Sequence, residues 1–214
     1  MSDLTGNLFF QGPAGRLEAI LKEPATGATR AAIVCHPHPL FGGTMHNKVV
    51  FRIARAFQDA GFAVLRFNFR GTGKSEGVHD NGQGEQDDLR AALRFVETKY
   101  PSADLWLAGF SFGAAVMLRA SCADERVRAL VAAGTPVSRH DFTHVPTCNI
   151  PKLFVQGALD EFGPPEELKR FVASLEGNNR LKIIEGADHF FEGHLPEVFQ
   201  AVTAFIAQVE EGTT

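Results

Sequence analysis

Eight short, β-type apolar runs, most of the later ones separated by helix-length segments, constrain the fold of this chain more than any other feature. They occupy residues 7–11, 16–22, 31–35, 63–68, 104–108, 127–132, 152–156 and 180–185. Only Gly12-Pro13-Ala14-Gly15 separates the first two, which suits an antiparallel hairpin. The longer connections suit parallel crossovers, which need a dozen or more residues. A parallel sheet must be covered on both faces, so the expected fold is an α/β architecture: a mostly parallel eight-stranded sheet with helices on both sides. With 44% hydrophobic and 21% charged residues, the chain has enough apolar content for such a core in one domain, residues 1–214.

The helices follow from a different period. Val49, Val50, Ile53, Phe57 and Ala60 make one apolar face ahead of Gly61, and Leu89, Ala92, Leu93 and Val96 make another ahead of Pro101. Leu168, Phe171, Val172 and Leu175 mark a further helix, and Val198, Val202, Phe205, Ile206 and Val209 mark the last. Residues 114–120 are apolar nearly all round, which predicts a buried central helix.

Between the fifth strand and that central helix stands Gly109-Phe110-Ser111-Phe112-Gly113. A G-x-S-x-G between a strand and a helix is the pattern of a nucleophile elbow, a turn so sharp that the flanking positions must be small and the serine hydroxyl is left exposed. A nucleophilic serine needs a base, and the base needs an orienting acid. Two later strands end in titratable residues: Gly157-Ala158-Leu159-Asp160 and Gly186-Ala187-Asp188-His189. The expected triad is therefore Ser111, Asp160 and His189, in that chain order. Asp188 is a rival acid, but adjacent side chains tend to diverge, so Asp160 is preferred and Asp188 is expected to cap its own loop. Asp141 is a weaker third choice.

With HPHPLFGGTMHNKVV (36–50), FNFRGTGKSEG (67–77), GFSFG, the G-x-x-D at 157–160 and GADHFF (186–191), the chain resembles the α/β-hydrolase superfamily, closely its small, cap-less bacterial serine hydrolases. The resemblance spans nearly the whole chain. It implies a serine hydrolase cleaving carboxylic esters of small molecules through an acyl-enzyme, with thioester or small-peptide hydrolysis using the same parts, and no cofactor. A non-catalytic binding protein on the same scaffold is the reading from another class. The oxyanion hole is expected to use the backbone N–H of Phe112, at the positive end of the central helix, and one donor from the loop after the third strand. Pro37 and Pro39 have no N–H. Aligning His38-Pro39-Leu40 with the family's His-Gly-X points to Leu40, with His38 or Phe41 as alternatives. Only residues 134–150 separate the sixth and seventh strands, too short a stretch for a multi-helix cap, so the mouth is expected to be open.

Other chemistries fit less well. His36, His38 and His46 invite a metal reading, but the neighbourhood lacks a carboxylate, and His36 is expected to pin its loop against the Arg70 region. Gly71-Thr72-Gly73-Lys74-Ser75 misses the phosphate-loop pattern because Asn68 stands where its first glycine belongs. Cys35, Cys122 and Cys148 have no obvious base beside them. The phenylalanines beside the motifs (Phe41, Phe110, Phe112, Phe142, Phe162, Phe190, Phe191) are core residues or the lining of an acyl or alcohol pocket. A net charge of −4 without a basic cluster argues against nucleic acid, and no run is long enough to span a membrane. Three cysteines and no apolar leader suggest the cytoplasm and a monomer or small homo-oligomer is expected. Asn7 to Gly12 (NLFFQG) resembles a tag-removal site, but the fold needs a strand there.

Overall fold

In the computed structural model, which describes residues 7–25, 27–121, 126–143, 145 and 147–212, the eight strands form one sheet in the order β1-β2-β4-β3-β5-β6-β7-β8. They are β1 (Asn7–Gly12), β2 (Gly15–Lys22), β3 (Arg30–Cys35), β4 (Ala63–Phe67), β5 (Asp104–Phe110), β6 (Val127–Ala133), β7 (Lys152–Gly157) and β8 (Asn179–Ile184). β1 and β2 pair antiparallel through the short turn, β2 pairs antiparallel with β4, and the other pairs are parallel. The helices are α1 (Lys48–Asp59), α2 (Gly84–Lys99), α3 (Phe112–Ser121), α4 (Pro165–Ala173) and α5 (Leu195–Glu211). Every expected strand is present, with ends moved by at most two residues. Leu175, expected on the fourth helix, lies just beyond α4 but still packs into the core.

Alternation along each strand divides the interior. Leu105 and Leu107 of β5 face a core shared with α2 and α3, whereas Trp106, Ala108 and Phe110 face the opposite core, shared with α1 and α5. This is the period-two rule applied to a sheet covered on both faces. α3 is buried at nearly every position, as its all-apolar sequence requires. α1 begins where Asn47 Oδ1 accepts the Val49 and Val50 N–H groups, at 2.9 and 3.4 Å.

The sheet order matters for the site. From β3 the chain crosses to β4 on one side, then returns to β5 on the other, which leaves a crevice outside the carboxyl ends of β3 and β5. The elbow and the 36–43 loop both border it. Between β6 and β7 the described residues form turns and bends without a helix, so no cap covers this end. Lys152 ties that connection down: its buried ammonium donates to Cys148 O, to Ile150 O at 2.9 Å and to Asn179 Oδ1 at 3.3 Å. Burial pushes its pKa down to about 8. No helix of the described residues is long and apolar enough to cross a membrane.

Candidate active site

Ser111 sits at φ +54°, in the left-handed region that a side chain enters only under strain. The surroundings hold it there. Its N–H donates to Ala133 O of β6 at 2.9 Å, and its carbonyl accepts the first full turn of α3 from Ala115 N–H at 3.1 Å. The two elbow glycines are required by close approach: a Cβ on Gly109 would meet Ala114 N at 2.5 Å, and one on Gly113 would meet His36 O at 2.5 Å and Cys35 O at 2.6 Å. Ser111 is thereby left partly exposed at the end of a buried helix.

The expected partners meet it. His189 Nε2 lies 2.9 Å from Ser111 Oγ, and His189 Nδ1 lies 2.8 Å from Asp160 Oδ2. Asp160 is buried and has four donors around its two oxygens. Phe162 N–H and Gly163 N–H donate to Oδ1 at 2.8 and 3.0 Å, and Gln156 Nε2 donates to Oδ2 at 2.7 Å beside the imidazole. With donors on both its oxygens the carboxylate acts as acceptor toward the ring and fixes the proton of His189 on Nδ1, leaving Nε2 free to accept from the serine.

Asp188 is not part of this chain of bonds. Its Oδ1 accepts Phe190 N–H at 2.9 Å and Glu192 N–H at 3.2 Å, so it shapes the His189 loop as expected. Asp141 likewise accepts from Thr143 N–H, two residues on.

Gln156 was not anticipated as a site residue. Its Oε1 accepts Thr135 N–H at 2.8 Å, and its Nε2 donates to Gly163 O at 2.8 Å as well as to Asp160. The amide orientation is dictated by this set, because a flip would face oxygen to two acceptors and nitrogen to a donor. A glutamine directly after the apolar run Leu153 to Val155 is the one signal that would have found it, since a fully buried amide in a strand end needs partners.

The remaining motifs are scaffolding. His36 is buried, with Nδ1 2.7 Å from Pro37 O and Phe69 N–H donating to Nε2 at 3.0 Å, so both ring nitrogens are occupied and neither is open to a metal. Burial lowers its pKa to about 4. Arg70 grips the fully buried Asp88 through Nε and Nη2, with the shortest contact at 2.8 Å. In the Gly71 to Ser75 turn the position a phosphate would need is already taken. Lys74 N–H and Asn68 Nδ2 both donate to the Glu18 carboxylate, at 2.9 Å each, so a protein anion already fills the place. Cys35 is a buried thiol whose pKa is raised by desolvation, Cys148 is disulfide-bonded, and Cys122 lies outside the described residues. Neither Cys35 nor Cys148 is a poised nucleophile.

The second oxyanion donor is expected from the loop after β3. Leu40 N–H is held by His38 Nδ1 at 3.3 Å, and Phe41 N–H donates to His38 O at 3.1 Å, in the 3₁₀ turn Pro39–Phe41. Among the described residues, the N–H groups of Phe112 and His38 donate to no other group. The phenylalanines flanking the motifs also divide: Phe110, Phe112, Phe142 and Phe191 are buried, whereas Phe41, Phe162 and Phe190 stand out at the mouth.

A hydroxyl, an imidazole and a carboxylate bonded in line, at the carboxyl end of a doubly covered parallel sheet with the serine on a strained strand-to-helix turn, define a serine hydrolase. The family described as alpha/beta hydrolase domain matches residues 32–201, and the chain belongs to that family. A serine hydrolase homologue of known structure from Coxiella burnetii is 41% identical, with a TM-score of 0.88 over 95% of this chain and 99% of that one. A serine hydrolase without lid from Xanthomonas campestris is 38% identical, with a TM-score of 0.89 over 97% and 96% of the two chains. An uncharacterized protein of Rickettsia prowazekii is 35% identical over 95% of this chain and 89% of its own length.

Proposed function

We propose that this protein hydrolyses carboxylic esters of small molecules, with a preference for short acyl groups. The observation that carries the reading is the unbroken line Ser111 Oγ, His189 Nε2, His189 Nδ1, Asp160 Oδ2, with contacts of 2.9 and 2.8 Å, at a mouth that no cap covers. Ser111 attacks the carbonyl carbon as His189 takes its proton. The imidazolium, held by Asp160, returns that proton to the leaving alcohol as the tetrahedral intermediate collapses to an acyl-enzyme. Water then attacks along the same path, with His189 again as base, and the acid departs.

The oxyanion formed in each half needs two donors. Phe112 N–H is one. The loop after β3 supplies the other, and of its three candidates Leu40 would first have to release His38 Nδ1 and Phe41 its bond to His38 O, whereas His38 N–H is already free to donate among the described residues. His38 has φ −55°, a value proline adopts, so His38→Pro removes that N–H without forcing the backbone. Against His38→Ala, which removes only the side chain, His38→Pro should lower kcat by about two to three decades. The same loss in Leu40→Pro relative to Leu40→Ala would return the role to Leu40.

The function itself is tested by fluorophosphonate labelling and an acyl series. One equivalent should attach at Ser111, and p-nitrophenyl esters should be cleaved with kcat/KM highest for short acyl chains. Faster turnover of matched thioesters than of oxygen esters would move the substrate class, and labelling without any hydrolysis would refute it.

A further inference from the structure

Eight large apolar side chains stand exposed among the described residues, and five of them lie on the loops that follow β3, β7 and β8: Leu40, Phe41, Leu159, Phe162 and Phe190. Scattered exposed apolar residues are ordinary, but a crown of them around one nucleophile marks a surface with an occupant. Two of the five have a narrower position. The ring of Phe162 lies 4.6 Å from that of His189 at 44°, and the ring of Phe190 lies 5.3 Å away, edge-on at 84°. Phe110, fully buried, closes the imidazole from the core side at 5.3 Å. Phe162 and Phe190 thus present phenyl surface to solvent beside the group that handles the proton.

The chemistry states what passes there. His189 Nε2 must protonate the departing oxygen, so that oxygen comes within about 3 Å of Nε2 in the transition state. The atoms attached to it on the alcohol side then come close to the imidazole and so to the two rings, whose centres lie 4.6 and 5.3 Å from its own. Leu40 and Phe41 sit elsewhere, on the loop of the oxyanion donor, with Phe41 leaning on His38 at 4.9 Å. The backbone that carries each of the phenyls beside His189 is fixed by a hydrogen bond. Phe162 N–H is bonded to the triad carboxylate of Asp160, and the Arg139 guanidinium lies 5.7 Å from its ring centre. Phe190 N–H is bonded to Asp188.

We infer that Phe162 and Phe190 form a clamp for the alcohol half of the substrate, selecting esters of flat, apolar alcohols such as phenyl, benzyl or naphthyl groups. This inference rests on the ester-hydrolase reading and adds to it the half of the ester that is recognised. Rings carried on a fixed backbone lower the ordering cost at binding, and each aromatic contact strengthens the acylation transition state, in which the alcohol is still present. Deacylation, from which the alcohol has gone, does not involve the clamp.

The test uses acetate esters of methanol, benzyl alcohol and 1-naphthol, which all give one acetyl-enzyme. Acylation is read by kcat/KM, and active sites are counted by fluorophosphonate titration. Phe162→Ala and Phe190→Ala should each lower the naphthyl-to-methyl ratio of kcat/KM by about three- to tenfold, with Phe162→Leu in between. Loss of the same factor for all three esters would show that the rings only shield His189 and would overturn the clamp while leaving the esterase intact. No hydrolysis of any ester by unlabelled wild-type protein, from a preparation whose active sites titrate fully in a separate aliquot, would overturn the esterase reading and the clamp together. A rate increase on added phosphatidylcholine vesicles that disappears in both variants would assign the crown to a lipid surface instead.

Discussion

Replacing Asp160 by asparagine conserves shape and reverses one polarity, and the structure shows what that reversal does. Both backbone donors, Phe162 N–H and Gly163 N–H, point at Oδ1, so the amide oxygen of the variant must stay on that side. Its NH2 then occupies the position of Oδ2, which faces His189 Nδ1 and Gln156 Nε2. Against Gln156 it meets a donor. Against His189 it can only donate, which makes Nδ1 an acceptor and moves the imidazole proton to Nε2, where it blocks acceptance from Ser111. The expected loss in kcat is about four decades, the size attached to this tautomer error in a serine protease triad. The clash of donors with Gln156 should also cost about 1–3 kcal/mol of stability. Asp188→Asn is the contrast, because its Oδ1 can go on accepting from Phe190 and Glu192, so the loss should stay within about tenfold. The assay is the pre-steady-state burst of p-nitrophenyl acetate on titrated active sites, with urea unfolding alongside. Retention of more than a tenth of wild-type kcat by Asp160→Asn, or a larger loss in Asp188→Asn, would refute the reasoning.

Three further outcomes are expected. Gln156→Leu leaves Thr135 N–H without its acceptor and Asp160 without one donor, so kcat should fall with little change in KM, and unfolding in urea should show a loss of about 1–3 kcal/mol; a pure stability loss at full activity per titrated site would count against a positioning role. Ser111→Gly should be more stable than Ser111→Ala by about 1 kcal/mol, since glycine relieves φ +54° and alanine does not, and equal melting temperatures would show that the elbow stores no strain. His36 has a pKa of about 4 in the folded chain against an ordinary 6.5, so the unfolded chain takes up its proton first as pH falls. Its contribution is intact above pH 6.5 and is lost as pH falls towards 4, by about 3 kcal/mol, and a non-titrating His36→Gln variant should show a shallower decline between those limits.

Much of this molecule was legible along the chain because its signals are local. Alternation of period two and period 3.6 located the strands to within two residues, and the small residues of the elbow predicted a turn too tight for side chains at Gly109 and Gly113. The choice of Asp160 over Asp188 also came from local geometry, since an adjacent carboxylate turns back on its own loop. What the tertiary structure alone decided involves residues brought together by register and crossover. β3 lies between β4 and β5, a placement that follows from the crossovers taken together, and this opens the crevice beside the nucleophile. Gln156 reaches Asp160, Thr135 and Gly163 only once β6 and β7 pair. Glu18 fills a glycine-rich turn more than 50 residues away, taking the anion position that the Gly-Lys-Ser string suggests for a phosphate. The phenylalanines were alike in sequence, and packing alone separated buried Phe110, Phe112, Phe142 and Phe191 from the exposed rings beside His189. Hydrophobic pattern states that a side chain seeks burial, but how much of it remains in water depends on neighbours that arrive from other strands.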